Sequence, residues 1–159
     1  MFSIIKRLFI LGLYAGGSFC YVDSAYSQIW IEERQRAELP ASLISSHRMK
    51  IVLTHGNQLG GQTSAEVVGG QIISGHYFIS SDTQQMISIN LISNQDDADI
   101  SLTKFTMKYK GQTYKSFPAV GLPSPGNGED VFIGFTATIN QNTSEGERFP
   151  SYILDVNEE

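Results

Sequence analysis

The sequence predicts an all-β fold: an antiparallel β-sandwich with seven to nine strands after an N-terminal signal peptide. Three observations lead to this prediction. From Met49 onward, short segments with alternating apolar side chains recur, and glycine, asparagine and proline residues separate them. Alternation with a period of two places one face of each segment in a core. No stretch after Met49 keeps a helical period over ten residues.

Residues 1–27 have the layout of a bacterial secretory signal peptide. Its three parts are, in order, the cations Lys6 and Arg7, the apolar run from Leu8 to Ala15, and the small-x-small triplet Ala25-Tyr26-Ser27. We therefore expect cleavage between Ser27 and Gln28. The alternatives fit less well. Glycines interrupt the run before the roughly 20 apolar residues of a membrane anchor, and Phe19 before Cys20 is a poor lipoprotein signal.

The mature chain left by this cleavage has 132 of the 159 residues, the size of one domain. The only cysteine of the full sequence, Cys20, is removed with the signal peptide. Disulfides, thiol catalysis and cysteine-bound zinc are therefore excluded for the mature chain. It keeps 9 Lys and Arg against 15 Asp and Glu, a net charge of −6. Nucleic-acid binding needs a basic surface, so this charge argues against it. We expect no membrane span in the mature chain.

Residues 28–48 precede the predicted sandwich domain of residues 49–159 and are ambiguous. The charged segment from Ile31 to Leu39 could form a short helix ending before Pro40. It could equally be an extended arm, because Ile29 and Ile31 flank Trp30 as they would in a strand. Helix, strand and disorder remain open for this region.

The clearest strand covers Val131 to Asn140. One face carries Val131, Ile133, Phe135, Ala137 and Ile139, and the other carries Phe132, Gly134, Thr136, Thr138 and Asn140. Met86 to Ile92 alternates in the same way. Ile100 to Tyr109 also alternates, but its phase changes after Leu102, which predicts a bulge near Thr103-Lys104. Lys110-Gly111 predicts a short hairpin turn. Six shorter segments are further candidates: Met49–Thr54, Ala65–Val68, Gln71–Ile73, His76–Ser80, Thr113–Phe117 and Ser151–Val156.

Candidate metal ligands are few and scattered. His47, His55 and His76 are the histidines of the chain, and their spacing lacks the HxH or HxxxH pairing of a zinc site. Oxygen donors cluster at Asn94, Asp96, Asp97 and Asp99. A calcium ion takes such ligands, but the loop order of an EF-hand is missing and a solvated turn is the simpler interpretation. We expect no bound metal or other cofactor.

Catalytic patterns are equally weak. Ser124 lies between two prolines in Gly121-Leu122-Pro123-Ser124-Pro125-Gly126, which is a rigid loop and not a nucleophile elbow. Glu129 and Asp130 are adjacent in a strand, so they point to opposite faces and cannot act as a carboxylate pair. Asn142-Thr143-Ser144 matches a glycosylation acceptor and indicates an exposed turn. We expect no enzymatic activity.

The aromatic residues allow two interpretations. They could line a carbohydrate site, but in a sandwich without disulfides they are more simply core or cross-strand partners. The residues concerned are Tyr77, Phe78, Phe105, Tyr109, Tyr114, Phe132, Phe135 and Tyr152.

Three segments between residues 49 and 157 resemble exported bacterial domains of the DUF4402 type, which are similar to pilin-like sandwiches. They are the pair Gly75–Ser80 and Ile87–Leu91, the strand Asp130–Ile139, and the closing segment Ser144–Val156. The resemblance implies a sandwich of the immunoglobulin-like or pilin-like kind in an envelope or surface protein, and it carries over no functional residues. Pilins that assemble by strand donation have an N-terminal arm of alternating apolar residues. Here that alternation ends at Glu32, which puts polymerisation in question.

These observations lead to one functional expectation. The protein is expected to be an exported, non-enzymatic structural, adhesive or pilus-like (fimbrial) subunit, located in the periplasm, at the cell surface or in the medium. Its partner would be another copy or another protein that pairs with a sheet edge. The alternative is a monomeric periplasmic module that binds a small ligand or an envelope component.

Overall fold

The computed structural model describes residues 28–42, 47–94, 100–140 and 150–159. These residues contain eleven β-strands and no helix. In chain order the strands are β1 (Ile29–Gln35), β2 (Ala41–Ser42), β3 (Met49–Leu53), β4 (Val67–Gly69), β5 (Gly75–Ser81), β6 (Ile87–Ser93), β7 (Ile100–Tyr109), β8 (Gln112–Tyr114), β9 (Ala119–Leu122), β10 (Glu129–Ile139) and β11 (Tyr152–Glu158). The all-β prediction is confirmed, and nine of these strands begin at Met49 or later.

The strands form two main antiparallel sheets and one small two-stranded sheet. The larger sheet has the order β1-β5-β10-β7-β8, with β3 also paired to β10. The smaller sheet has the order β11-β6-β9, and β2 pairs with β4. The long strand β10 organises the larger sheet, because its first half pairs with β5 and its second half with β3, while β7 follows its other side.

The core lies between the two sheets and follows the predicted alternation. All five residues predicted for the apolar face of β10 are buried: Val131, Ile133, Phe135, Ala137 and Ile139. The smaller sheet contributes Ile87, Ile89 and Leu91 from β6 and Leu122 from β9. Burial of this apolar surface is the main force that holds a sandwich together.

Two local predictions about β7 are confirmed. Its pairing with β10 shifts between Gly134 and Thr136, and Lys104 has a φ of 50°, so the extra residue lies where the alternation changes phase. Tyr109 pairs with Gln112 across Lys110-Gly111, and both turn residues have positive φ. This is the backbone geometry of a tight hairpin turn.

Three strand predictions need correction or completion. Residues Ile29–Gln35 form a strand, which removes the short helix from the alternatives for this region. Gln71–Ile73 is not a strand, because Ile73 makes only an isolated bridge to Glu38. Ala119–Leu122 forms β9, which the sequence did not predict, because four residues are too few for a clear alternation.

Among the residues that the structure describes, none belongs to a helix with the length and hydrophobicity required to cross a bilayer.

Candidate interaction surface

The edge strand β1 brings together the most unusual exposed residues of the described chain. It pairs with β5 on one side, and no described strand pairs with its other side. Trp30, the only tryptophan of the protein, is 47% exposed on the outer face of the sheet. Ile31, on the inner face next to the fully buried Ile79, is 44% exposed. Large apolar side chains on a free edge are a typical feature of an interaction surface.

The outer face beside β1 holds a connected cluster of charged and aromatic side chains. The Arg34 guanidinium lies 4.1 Å from the centre of the Phe78 ring and 3.5 Å from Asp130 Oδ1. The same carboxylate oxygen is 2.8 Å from His76 Nε2, and the His76 ring stacks on Phe132 at 4.4 Å. The pairings of β5 with β1 and β10 place these residues side by side. The cluster satisfies its own charges and attaches β1 to the sheet.

Gly128 supports this cluster from the loop before β10. It has a φ of 142°, and a Cβ at this position would overlap with the Phe78 ring. A glycine is therefore required for the loop to approach the ring so closely. Phe78 is held between this loop and the Arg34 side chain.

The inner face beside β1 borders a cavity of about 290 Å³. Seven residues line it: Glu33, Arg36, Ala37, Tyr77, Pro150, Ser151 and Tyr152. Tyr77 donates a 3.3 Å hydrogen bond to Glu33, and the Tyr77 and Tyr152 rings meet edge to face at 6.2 Å. The cavity thus lies between the end of β1, the middle of β5 and the start of β11.

By distance and angle, the Tyr152 hydroxyl is the one buried side-chain polar atom in the described part of the chain that makes no hydrogen bond, although it lies near enough to the Tyr77 hydroxyl to affect the pKa of both groups. Burial raises the pKa of this hydroxyl above its usual value, and the neighbouring Tyr77 raises it further. Burial also raises the pKa of Tyr77; the Tyr152 hydroxyl lowers this pKa in part, and Glu33 raises it. The hydroxyl lies against Gly75, where a Cβ would overlap with it. Both tyrosines are therefore neutral at physiological pH and offer hydroxyl groups, not charges.

The far end of β11 is attached to the sandwich by a carboxylate. Ser81 donates a 2.9 Å hydrogen bond to Glu158 Oε1, and Thr83 donates to the same oxygen. The next residue, Glu159, accepts a 3.0 Å hydrogen bond from the Gly121 amide. Because hydrogen bonds to a charged acceptor are strong, the bonds from Ser81 and Thr83 keep the end of β11 opposite the end of β5, and the bond from Gly121 connects the end of the chain to β9.

The three histidines do not meet in the structure. His76 contacts Asp130, and His55 Nε2 is 3.4 Å from the Thr113 hydroxyl in a different part of the sheet. No group of three histidine, cysteine or acidic side chains that could hold a metal ion occurs among the described residues.

The candidate catalytic residues have structural contacts. The Ser124 hydroxyl donates a 2.7 Å hydrogen bond to the Thr83 carbonyl and accepts one from the Gly126 amide. Asp130 belongs to the outer cluster. Glu129, its neighbour in β10, raises the pKa of Tyr109, although burial is the larger cause of that rise.

The aromatic residues divide between the core and the outer face. Phe135 and Tyr109 are buried, and Tyr77, Phe105, Tyr114 and Tyr152 pack against the core. Phe105, Phe135 and Tyr152 form one cluster with ring centres about 6 Å apart. Phe78 and Phe132 instead lie on the outer face in cross-strand pairs with Asp130 and His76.

Several predicted features lie outside the described residues: the signal peptide with Ser27, the acidic residues Asp96, Asp97 and Asp99, and the triplet Asn142-Thr143-Ser144. Gln28, on the mature side of the predicted cleavage, is described, and its backbone nitrogen donates a 3.1 Å hydrogen bond to Asp82. Asn94 donates to the Ser151 hydroxyl at 3.2 Å.

Sequence reasoning did not identify the cavity. Glu33, Tyr77 and Tyr152 come from three distant segments, and no local pattern connects them. One weak sequence signal for the cavity exists. Ile29, Ile31 and Glu33 alternate along β1, so Glu33 lies on the inner face of this strand, where acidic residues are unusual.

Comparisons with protein-family models, with curated proteins and with solved structures found no match for this chain.

Proposed function

We propose that this protein is an exported, non-enzymatic structural or adhesive subunit of the bacterial envelope or surface, which associates with a partner strand through a free sheet edge. A sandwich edge offers a row of main-chain donors and acceptors to an incoming strand. A pilus-like assembly is one form that such association takes. The location proposed for it is the periplasm, the cell surface or the medium.

The observation that supports this proposal is the exposure of β1. Its residues after Ile29 are exposed, and its large apolar side chains, Trp30 and Ile31, point to opposite faces of the sheet. The smaller sheet adds a second edge at β11, which pairs with β6 and with no other described strand. Native edge strands are commonly protected by charges or by a covering loop. Here Glu32, Glu33 and Arg34 give part of that protection, and they leave the apolar pair at the start of β1 accessible.

Subunit mixing tests this function. Because the mature chain lacks cysteine, a Val68→Cys variant takes a single fluorescent label at a position that is 58% exposed and lies in neither main sheet. Donor-labelled and acceptor-labelled samples are mixed. Fluorescence energy transfer between the two labels is then measured, and light scattering gives the molar mass of the protein in the same mixture. We expect energy transfer and a mass above the monomer that rises with concentration. A constant monomer without energy transfer would contradict the proposal.

A second function is supported by a separate observation. The cavity of about 290 Å³, lined by Glu33, Arg36 and Tyr77 among others, lies at the lower end of the size range of small-ligand sites. In that case the protein is a monomeric periplasmic module that binds a small polar molecule or an envelope component. The constant monomer in the mixing experiment is the result that favours this second function.

A further inference from the structure

We infer that Asn127, in the loop before β10, is a modification site. Its side-chain amide reacts with the backbone nitrogen of Gly128, and water then hydrolyses the product to aspartate or isoaspartate. The inference goes beyond the proposed function and does not depend on it, because the reaction needs no partner protein and no reagent other than water.

The first observation is the residue that follows this asparagine. Deamidation of this kind begins when the backbone nitrogen of the next residue attacks the side-chain carbonyl carbon of asparagine. A side chain on that next residue hinders the approach, and glycine has none. Asn127-Gly128 is the only Asn-Gly pair in the sequence. Every other asparagine precedes a residue with a side chain: Asn57, Asn90, Asn94, Asn140, Asn142 and Asn157.

The second observation is the freedom of the Asn127 side chain. Asn127 is exposed, and within the described part of the chain no group forms a hydrogen bond with its side-chain amide. Asn57 is a useful contrast in another loop. Its side-chain oxygen accepts hydrogen bonds of 2.6 and 2.7 Å from the nitrogen and the hydroxyl of Ser74. The amide of Asn127 can therefore rotate towards the backbone, whereas that of Asn57 is fixed.

The third observation concerns the attacking nitrogen. The Gly128 nitrogen donates a hydrogen bond of 3.2 Å to the Pro125 carbonyl, which is at the long end of the normal range. The loop on its N-terminal side is held more firmly, since the Gly126 carbonyl accepts a 2.9 Å bond from the Ser81 nitrogen. One long hydrogen bond therefore has to break before the nitrogen can attack.

The reaction has two steps that balance without an oxidant or a reductant. In the first, the Gly128 nitrogen bonds to Cγ of Asn127 and gives up its proton, and the side-chain NH₂ group takes up a proton and leaves as ammonia. The product is a cyclic imide. In the second step, water breaks one of the two bonds between the ring nitrogen and a carbonyl carbon. Cleavage on the side-chain carbon gives aspartate, and cleavage on the backbone carbon gives isoaspartate.

The isoaspartate product changes the loop at its contact with Phe78. Its main chain passes through the former side chain and is one methylene group longer. Gly128 lies so close to the Phe78 ring that a Cβ would overlap with it, so a lengthened chain does not fit in the same place. Phe78 also contacts the Arg34 guanidinium of β1 at 4.1 Å. Displacement of Gly128 is therefore expected to loosen the contact between Phe78 and Arg34, which attaches β1 to the sheet.

The test uses the exported full protein, incubated below its unfolding temperature at mildly acidic and mildly alkaline pH. Peptide mass spectrometry measures the mass increase that results when an amino group is replaced by a hydroxyl group. We expect this increase at Asn127 and more slowly at Asn57, by about tenfold or more, which is about 1.4 kcal/mol in the barrier. The rate at Asn127 should rise with pH, because the attacking nitrogen must lose its proton. An unmodified Asn127, or equal rates at Asn127 and Asn57, would overturn the inference.

Hydrogen exchange of the same samples tests the effect on β1. Amides of β1 should exchange about twofold or more faster in the incubated wild type than in the fresh protein. Incubated Asn127→Ser, which lacks the reactive amide, should keep the exchange rates of its fresh sample. Fresh Asn127→Asp carries the new charge without the longer main chain and should exchange like the fresh wild type. Unchanged β1 exchange in a sample that contains isoaspartate would overturn the proposed effect on Phe78 and Arg34.

Discussion

Replacing Tyr152 by phenylalanine is expected to stabilise the protein. The substitution keeps the ring, which packs against Phe105 and Phe135, and removes a buried hydroxyl that has no partner. Burying an unsatisfied polar group costs about 1–3 kcal/mol, so the free energy of unfolding should rise by about 1 kcal/mol or more at neutral pH. For a domain of this size that corresponds to a melting temperature about 4 °C higher.

The same substitution should change the pH dependence of stability above the ordinary tyrosine pKa of 10.0. A hydroxyl whose pKa is raised by folding stays protonated in the native state while it ionises in the unfolded state. Its contribution to stability is therefore complete below pH 10 and is lost as the pH rises towards the folded-state pKa. Each such tyrosine lowers the free energy of unfolding by about 1.4 kcal/mol per pH unit in this range. Tyr77, Tyr109 and Tyr152 all have a raised pKa.

Urea unfolding at pH 7.5 and at a series of values above pH 10 measures both effects. The free energy of unfolding of the wild type should fall steeply as the pH rises above 10. In Tyr152→Phe this fall should be less steep by the contribution of one tyrosine, about 1.4 kcal/mol per pH unit. Tyr114→Phe is the matched control, because the Tyr114 hydroxyl donates a 3.0 Å hydrogen bond to Gln112 at the surface. The control should change the free energy of unfolding by about 0.5 kcal/mol or less. A Tyr152→Phe variant that is less stable at pH 7.5, or that has an unchanged alkaline slope, would refute this reasoning.

Three further predictions concern the core, the end of β11 and the leader. Ile133→Ala, at a completely buried position of β10, should lower the free energy of unfolding by about 2–5 kcal/mol in urea, and a loss below 1 kcal/mol would contradict the assigned core. Glu158→Gln weakens the acceptor of the Ser81 and Thr83 hydroxyls and should cost about 1 kcal/mol; amides of β11 should then exchange faster, whereas unchanged exchange would argue against these bonds. Mass spectrometry of the exported protein should give a chain that begins at Gln28, and a chain that still carries residues 1–27 would disprove cleavage.

Local patterns in the sequence were sufficient to predict the class of fold and several details of the strands. The period of two in β10 predicted its buried face, because side chains of a strand alternate between faces whatever strand lies beside it. The phase change in β7 located its bulge, and Lys110-Gly111 located a hairpin turn, since positive φ at adjacent turn residues is a local property.

Short elements and the N-terminal segment depended on tertiary pairing. The charged residues from Glu32 onward are compatible with helix or strand, and pairing with β5 selected the strand at β1. The strand β9 exists because Ala119 and Leu122 pair with Ile89 and Ile87 of β6, a contact that four residues of sequence do not reveal.

The sequence alone therefore determined that this chain forms layered antiparallel sheets around a core without disulfides, because alternation and composition act within single segments. Tertiary structure decided which strands lie at the edges of the sheets and how many strands each of the two main sheets contains. It also decided that Glu33, Tyr77 and Tyr152 meet in one cavity. The physical reason is that edges and cavities result from contacts between distant segments, and the residues that form them carry no periodic pattern of their own.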